Sequence, residues 1–175
     1  AIVGYTNAGK STLLNALTDA GVLTENKLFA TLDPTSRALK LPDGRSVILV
    51  DTVGFISRLP HSLVESFKST LEEVVYADLI LNVCDASNPD YEQQIDVTLD
   101  TIKELGASDK PVLTVFNKCD LTKNLHFFSL DRNTVRISAK TGEGLPALLE
   151  KIASMLENTR RRGRLIIPYS DGNLI

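Results

Sequence analysis

The chain has 175 residues, a length that suits one compact domain, and 43% of them are hydrophobic, which excludes a disordered chain. Its formal net charge of −3 excludes a general nucleic-acid binder. No apolar run approaches the ~20 residues that a membrane-spanning helix needs, which excludes a membrane protein of that kind.

The first part of the chain carries strand, helix and loop patterns in turn. Residues 1–5 form a short apolar run that predicts a buried strand, and its abrupt start indicates a chain cut from something longer. Residues 10–21 have leucines at helical spacing and end at a glycine, which predicts a helix. Residues 22–36 have no clear period and are predicted as a loop. Two strand patterns within residues 37–51 flank an Asp-Gly pair, which is typical of a hairpin.

The rest of the chain alternates between helix and strand patterns. The predicted helices cover residues 60–77, 91–106 and 144–158, and the predicted strands cover residues 78–87, 111–116 and 134–140. Strands that alternate with helices predict a mostly parallel sheet with helices on both faces. The expected fold class is therefore a three-layer α/β fold with six strands, of which one, from the hairpin, is antiparallel.

The composition changes near the end of the chain. Residues 1–158 are predicted to form one domain, because the strand and helix patterns continue without a break to that point. Residues 160–164 contain four arginines, and they either meet RNA phosphates or form a solvated linker. Residues 159–175 are therefore predicted to be a basic linker followed by the start of a truncated C-terminal domain.

The two cysteines, Cys84 and Cys119, give no sign of metal or redox chemistry. Neither belongs to a C-x-x-C motif or lies near a histidine at metal-ligand spacing, so both are interpreted as core or loop thiols. The chain opens on an apolar strand that leads into a glycine-rich loop, and no signal peptide is predicted. We therefore expect a cytoplasmic protein that acts as a monomer.

The segment GYTNAGKS fits the phosphate-loop pattern G-x-x-x-x-G-K-[ST], and it lies between a predicted strand and a predicted helix. In such a loop, backbone N–H groups and the helix N-terminus surround the phosphates. Lys10 can reach the β- and γ-phosphates, and the Ser11 hydroxyl can bind Mg²⁺. The predicted phosphate-binding residues are Gly4, Tyr5, Thr6, Asn7, Ala8, Gly9, Lys10, Ser11 and Thr12.

The segment NKCD, which follows the predicted strand at 111–116, indicates which base is bound. The Asp120 carboxylate can accept hydrogen bonds from N1–H and the 2-amino group of guanine, whereas adenine leaves that charge unpaired. Lys118 would lie along the base, and Asn117 would tie this loop to the phosphate loop. A second loop follows the next strand, and one of its backbone N–H groups can meet the guanine O6. Its residues are Ser138, Ala139 and Lys140.

A D-x-x-G motif ends the second strand of the hairpin. The Asp51 carboxylate can hold Mg²⁺ through water, and the N–H of Gly54 can approach a γ-phosphate. The residues between them, Thr52 and Val53, belong to the same predicted site. A hydroxyl from residues 22–36 is needed to complete the Mg²⁺ coordination. The candidates are Thr31, Thr35 and Ser36.

These five motifs, in this order, resemble a translation-factor-class GTPase of the Ras-like P-loop fold. Three further stretches, LFATLDPTSR, DTVGFISRLPH and LVESFKSTLEEV, resemble the HflX family of ribosome-associated GTPases. The resemblance implies that Thr31 is the Mg²⁺-binding threonine, and it implies a catalytic set of Lys10, Thr31, Asp51 and Gly54. It also extends the nucleotide-binding set to Phe29, Ala30, Thr31, Leu32 and Asp33.

The resemblance implies a function as well. Family members are GTPases that hydrolyse GTP to GDP and phosphate as a conformational switch on the large ribosomal subunit, in ribosome splitting or rescue. The family has an N-terminal domain, for which we expect no counterpart in residues 1–175, and residues 167–175 resemble the opening of its small C-terminal domain. The expected cofactor is Mg²⁺, and the expected partners are GTP, GDP and the large ribosomal subunit. The switch segments are expected at residues 22–36 and 52–60.

Phe55 follows the D-x-x-G motif, where Ras-type proteins hold a water-positioning glutamine. Phenylalanine cannot hydrogen-bond to a water molecule, so we expect an enzyme that is slow alone and faster on its partner. In some GTPases with a hydrophobic residue here, an asparagine at the position of Asn7 helps bind a K⁺ ion in place of an arginine. Arg37 and Arg58 flank the switch segments and are alternatives.

Two other functions stay open at this point. A guanine-nucleotide-binding module with little turnover is favoured by Phe55. A P-loop kinase is disfavoured by residues 117–120 and 138–140, and by the absence of an arginine-rich lid. His61, beside a proline in a predicted loop, either faces solvent or touches a nucleotide or partner.

Overall fold

The structure, a computed structural model, describes residues 1–18, 35–52, 68–122 and 133–158. Within these ranges the chain forms one sheet, with strand order β2-β3-β1-β4-β5-β6. Its strands are β1 (Ile2–Val3), β2 (Thr35–Lys40), β3 (Ser46–Asp51), β4 (Ile80–Asp85), β5 (Val112–Asn117) and β6 (Thr134–Arg136).

The strand directions confirm the predicted mixed sheet. β2 and β3 pair in antiparallel fashion, and every other neighbouring pair is parallel. The described helices are α1 (Lys10–Thr18), α2 (Lys68–Tyr76), α3 (Tyr91–Glu104) and α4 (Leu145–Asn158). None of them is long and apolar enough to cross a membrane.

Apolar side chains of successive residues in β4 point to opposite faces of the sheet, as the period of a strand requires. Leu81 and Val83 pack in one cluster with Leu13 of α1 and Leu148 of α4. Ile80 packs on the other side in a second cluster.

That second cluster contains Val74 of α2 and Ile102 of α3. Helices therefore cover both faces of the sheet, which confirms the three-layer arrangement. The body of the molecule is apolar, so polar side chains that carry chemistry gather where the strands end.

The hairpin is longer than its sequence pattern suggests. The antiparallel ladder extends to the pair of Thr35 and Asp51, so Thr35 and Ser36 belong to β2 and not to the predicted loop. The hairpin also contacts α4, because the guanidinium of Arg45 donates to the Asp43 carboxylate and to the carbonyl oxygen of Ala153 (2.5 Å).

Two other predicted boundaries differ. The strand predicted at residues 134–140 ends at Arg136, because the chain then closes a turn around Ser138. In this turn the Ser138 N–H donates to Glu143 (2.9 Å) and its carbonyl accepts from Gly142 (2.8 Å). The helix predicted at residues 60–77 is described only from Lys68 to Tyr76, and its first part lies outside the described residues.

Candidate functional site

The carboxyl ends of β1, β3, β4 and β5 meet at one edge of the sheet, because these four strands are parallel. The loop after β1 leads into α1, β3 ends at Asp51, β4 ends at Asp85 and β5 ends at Asn117. In open α/β sheets, ligands bind at this edge. Three residues named as candidates, Thr35, Ser36 and Arg37, lie in β2. The other predicted site residues that the structure describes come from these strand ends or from the turn after β6.

The phosphate loop folds tightly between β1 and α1, and glycine is required at both of its ends. Gly4 has φ +145° and lies so close to Val83 that a Cβ would collide with the Val83 carbonyl oxygen. Gly9 has φ +94°, and a Cβ there would collide with the Asn117 side chain. Asn7 adopts the left-handed region (φ 62°) although it is not glycine, and it is exposed to solvent. The loop therefore keeps its backbone close to its neighbours.

Lys10 is buried at the first position of α1, with 7% of its surface exposed. Its ammonium group donates to the carbonyl oxygens of Gly4 (3.2 Å) and Tyr5 (3.1 Å). Burial lowers the pKa of Lys10 from 10.5 to about 8, and the Asp51 carboxylate opposes that shift. A poorly solvated cation at a helix N-terminus is an attractive partner for a polyanion.

The next residue, Ser11, lies against the end of β3. Its hydroxyl donates to the Asp51 carboxylate at 2.6 Å, and Asp51 is 1% exposed. A hydroxyl oxygen and a carboxylate oxygen this close are the ligand types that Mg²⁺ prefers. The donor chemistry of this pair therefore fits the predicted Mg²⁺ site.

Thr52 follows Asp51, but its side chain does not turn towards the site. It is fully buried, and its hydroxyl donates to the carbonyl oxygen of Ile2 at 2.7 Å. Its backbone N–H donates to the same oxygen at 3.2 Å. Thr52 therefore holds the end of β3 against β1, and any contact with a nucleotide would involve its backbone.

Asn117 connects the phosphate loop with the turn after β6. It is 2% exposed, its side-chain amide donates to the carbonyl oxygen of Ala8 (2.9 Å), and its side-chain oxygen accepts from the N–H of Ala139 (2.9 Å). The predicted tie between the two loops is therefore present in the geometry. The Ala139 N–H, an obvious donor for a guanine O6, is already engaged with Asn117, so a ligand oxygen would have to share it.

Lys118 extends from this loop to the phosphate loop. Its ammonium group donates to the carbonyl oxygen of Asn7 (2.9 Å) and to the carboxylate of Asp85 (2.7 Å). Asp85 was not among the predicted site residues. The signal that identifies it is its position as the last residue of a buried strand, at the same edge of the sheet as the other polar side chains.

A cavity of about 160 Å³ opens between the phosphate loop, the loop after β5 and the turn after β6. In the described part of the chain, every residue that lines it belongs to the predicted set except Leu121. Thr12 and Lys140 lie at this cavity, and Asp120 is exposed there.

A larger groove, of about 420 Å³, lies at the opposite edge of the sheet. It is lined mainly by apolar residues such as Ile48, Leu156 and Tyr76, with Glu73 and Asp78 among the few charged ones. We assign the site to the smaller cavity, because it lies at the carboxyl ends of the parallel strands, where the phosphate loop meets Lys118 and Asp120.

Several predicted site residues lie outside the described residues. They are Phe29, Ala30, Thr31, Leu32, Asp33, Val53 and Gly54. Phe55, Arg58 and His61 lie there as well, and so does most of both predicted switch segments, of which only residues 35, 36 and 52 are described. Within residues 1–18, 35–52, 68–122 and 133–158 no group of three or more His, Cys, Asp or Glu side chains is arranged to hold a metal ion. The described part of the predicted Mg²⁺ site is therefore the Ser11–Asp51 pair.

Comparison with known protein families shows the family to which the chain belongs. The family model described as "50S ribosome-binding GTPase" matches residues 1–118, about two thirds of the chain. The chain belongs to this GTPase family. The matched region contains the phosphate loop, β3 with Asp51, and β5 with the first residue of the loop after it, Lys118.

Curated relatives carry the name GTPase HflX. The protein from Lacrimispora saccharolytica is 55% identical over 178 residues, which cover 100% of this chain and 42% of that protein. The protein from Caldanaerobacter subterraneus subsp. tengcongensis is 54% identical over 169 residues, which cover 97% of this chain and 39% of that protein. The resemblance to the HflX family is confirmed. The chain spans about two fifths of the length of the relatives it matches.

A solved structure supports the same assignment. A GTP-binding protein from the archaeon Sulfolobus solfataricus, in complex with GDP, is similar with a TM-score of 0.73 and 30% sequence identity. The similarity covers 91% of this chain and 52% of that one. The predicted P-loop GTPase fold is therefore confirmed.

Proposed function

We propose that this chain binds guanine nucleotides, hydrolyses GTP to GDP and phosphate, and acts as a conformational switch. The observation that carries the proposal is the Asn117 side chain, which joins the phosphate loop at Ala8 to the turn at Ala139. A ligand with a base at one end and phosphates at the other would span the same two loops. The similar protein from S. solfataricus holds GDP, and the curated relatives are named GTPases.

The base is proposed to occupy the cavity between these loops. Asp120, exposed beside the cavity, would accept from N1–H and the 2-amino group of guanine. The alkyl chain of Lys118, which lines the cavity, would lie along the base. Adenine has no amino group at that position and its N1 is an acceptor, so it would leave the carboxylate without donors.

The phosphates are proposed to lie over residues 4–12, at the N-terminus of α1. Lys10 would exchange the carbonyl oxygens of Gly4 and Tyr5 for β- and γ-phosphate oxygens. Ser11 would bind Mg²⁺ directly, and Asp51 would hold it through water. When bound, Mg²⁺ neutralises charge that develops on the phosphate oxygens. Thr31 and Gly54, from segments outside the described residues, complete the proposed set.

The route of catalysis must differ from that of a GTPase with a glutamine after D-x-x-G, because Phe55 stands there. Asn7 is proposed to help bind a K⁺ ion, and its exposed side chain in the phosphate loop supports this role. K⁺ should then raise GTP turnover over Na⁺ at equal ionic strength, and Asn7→Ala should abolish the difference while GTP still binds. Equal turnover in both salts would transfer the role to Arg37, Arg58 or a group from the partner.

The proposed partner is the large ribosomal subunit, since the matching family is described as ribosome-binding. Ribosome splitting or rescue is the proposed outcome, and a ribosomal partner implies a cytoplasmic location. We propose a domain boundary after Asn158, where α4 ends, with residues 159–175 as a linker into a further domain.

The base assignment is tested by Asp120→Asn. Xanthine has a carbonyl where guanine has the amino group, so the variant should lose roughly 100-fold in GTP affinity and gain affinity for xanthosine triphosphate. Titration calorimetry with both nucleotides measures this change. Asp109→Asn, which alters an exposed carboxylate outside the site, is the control. Unchanged GTP affinity in Asp120→Asn would remove Asp120 from the base site.

A second candidate function, a nucleotide-binding module with little turnover, is favoured by Phe55. Phosphate release from GTP separates the two, measured with and without large ribosomal subunits. Release that rises on the subunits supports a switch with a stimulating partner. Binding without release under both conditions would favour the module.

A further inference from the structure

Lys118 has a backbone conformation that is unfavourable for its residue type. Its φ of 62° and ψ of 32° lie in the left-handed region, which side chains with a Cβ rarely adopt. Such conformations persist where surrounding contacts over-determine them. In Lys118 the contacts are at the far end of the side chain, where the ammonium group is held between the Asn7 carbonyl oxygen and the Asp85 carboxylate.

Asp85 is itself held in one arrangement. It pairs with Asn117 in the register of β4 and β5, which places it beside the residue that precedes Lys118. One carboxylate oxygen accepts from the backbone N–H (3.0 Å) and the hydroxyl (2.6 Å) of Ser87, and the other accepts from Lys118 (2.7 Å). Both carboxylate oxygens of Asp85 therefore accept hydrogen bonds. A substitution can remove the bond to Lys118 and keep the bonds to Ser87.

The ion pair lies behind the cavity. The side chains of Lys118 and Asp85 are 26% and 16% exposed, so solvent screens the pair less than a surface pair. Lys118 lines the cavity in which the base is proposed to bind, whereas Asp85 does not. The side chain of Asp85 is therefore connected to the cavity by its ion pair with Lys118.

We propose that Asp85 is a positioning residue for the base site. It draws the ammonium group of Lys118 behind the cavity, so that the alkyl chain forms one wall of the cavity and the left-handed backbone is maintained. The same contact keeps the Lys118 ammonium on the Asn7 carbonyl and so fixes the phosphate loop relative to the base loop. The inference rests on the proposed function, since the wall matters only if a base binds there.

The test is GDP affinity in the Asp85→Asn variant, measured by titration calorimetry. Asparagine keeps an oxygen for Ser87 but removes the charge that faces Lys118. We expect roughly a tenfold loss of GDP affinity, because a charge-assisted bond to a partly buried lysine is lost. Ser87→Ala is the matched control, since it disturbs the turn and leaves the ion pair intact, and its affinity should equal that of the unaltered chain.

A double-mutant cycle shows whether Asp85 acts through Lys118. In a Lys118→Met background, Asp85→Asn should cause no further loss, because the group it positions is already absent. Inosine diphosphate lacks the 2-amino group of guanine. Its affinity should fall in Asp85→Asn by the same factor as that of GDP, because the Lys118 alkyl chain does not contact that group. A purely structural role would give additive losses in the cycle.

A pair of longer variants keeps the test decisive if Asp85→Asn does not fold. Asp85→Glu and Asp85→Gln have equal length and differ in charge, so only the glutamate variant should recover GDP affinity. Equal affinities in this pair, or an Asp85→Asn variant that binds GDP as tightly as the unaltered chain, would overturn the inference. If the unaltered chain binds no GDP, the proposed function itself fails, and the two failures are therefore distinguishable.

Discussion

The two halves of the proposed nucleotide site differ in the partners that hold their polar side chains. In the base half, residues 117–120 and 138–140, Asn117 and Lys118 bond to other loops and leave the cavity open between them. In the phosphate half, residues 4–12 and Asp51, Lys10 bonds to carbonyl oxygens of its own loop and Ser11 bonds to Asp51.

The two halves therefore differ in whether their present contacts can remain when a nucleotide binds. The base half is assembled by bonds that a bound base does not need to break. In the phosphate half, the Lys10 ammonium and the Ser11 hydroxyl are bonded to neighbouring protein groups. Phosphate oxygens and Mg²⁺ would have to replace these partners. The base half should therefore govern affinity through its rigidity, whereas the phosphate half should govern the dependence of affinity on Mg²⁺ and pH.

The largest expected effect comes from removing the buried amide that joins the two halves. Asn117→Ala leaves the Ala8 carbonyl and the Ala139 N–H without their side-chain partner. Each buried polar group left unpaired costs about 1–3 kcal/mol of stability. GDP affinity, measured by titration calorimetry, should fall by roughly 100-fold or more.

A second buried asparagine provides a matched control. Asn82, in the middle of β4, is 1% exposed, and neither of its side-chain polar atoms has a hydrogen-bond partner among the described residues. Asn82→Val should leave GDP affinity unchanged and raise the free energy of unfolding in urea by about 1–2 kcal/mol, because an unsatisfied amide is replaced by an apolar group. If Asn117→Ala bound GDP as tightly as Asn82→Val, the base half would not depend on its bonds between loops.

A smaller effect is expected in the phosphate half from Ser11→Ala. The variant removes one oxygen from the pair that fits Mg²⁺, so the gain in GDP affinity on adding Mg²⁺ should fall roughly tenfold, the effect of one bond to a charged group. Fluorescence titration with and without a chelator measures this gain. Ser108→Ala changes an exposed serine outside the site and should keep the full gain. An unchanged gain in Ser11→Ala would remove this hydroxyl from the metal site.

The smallest effect concerns pH. Burial lowers the pKa of Lys10 to about 8, so between pH 8 and 10.5 the folded chain binds fewer protons than the unfolded one, and its stability rises with pH in that window. A bound phosphate favours the charged ammonium and reverses the shift. GDP binding at pH 8 should therefore take up about half a proton, and affinity should fall about twofold between pH 7 and pH 8.

Calorimetry in buffers of different ionisation enthalpy measures this proton uptake. Lys10→Met should abolish the uptake, whereas Lys103→Met, which removes an exposed lysine of α3, should not. Proton release in place of uptake would contradict the assigned role of Lys10.

Much of the fold and of the base half could be predicted from the sequence because the signals are local. The alternation of strands and helices predicts a parallel sheet, and a parallel sheet brings the ends of its strands together. The tie from Asn117 to the phosphate loop follows from that rule. Contacts set by orientation could not be predicted, as Thr52 shows, since its hydroxyl turns to Ile2 in the core.

The partners of the charged side chains could not be predicted from the sequence either. Lys118 combines a left-handed backbone with an ion pair to Asp85, and residue types alone do not indicate either feature for a lysine. The strand predicted at residues 134–140 was too long because the chain leaves the sheet after Arg136 to form the turn at Ser138, which depends on positive φ angles at Gly142 and Gly144. These features depend on three-dimensional context and not on local composition.

The central claim is that the base half keeps its contacts on binding while the phosphate half exchanges them. A crystal structure of this chain with GDP and Mg²⁺ tests it most directly. The account predicts that Asn117 still bridges Ala8 and Ala139, while the Lys10 ammonium has left the Gly4 and Tyr5 carbonyls for phosphate oxygens. Lys10 still on those carbonyl oxygens beside a bound GDP, or an Asn117 side chain that has left Ala8, would contradict it.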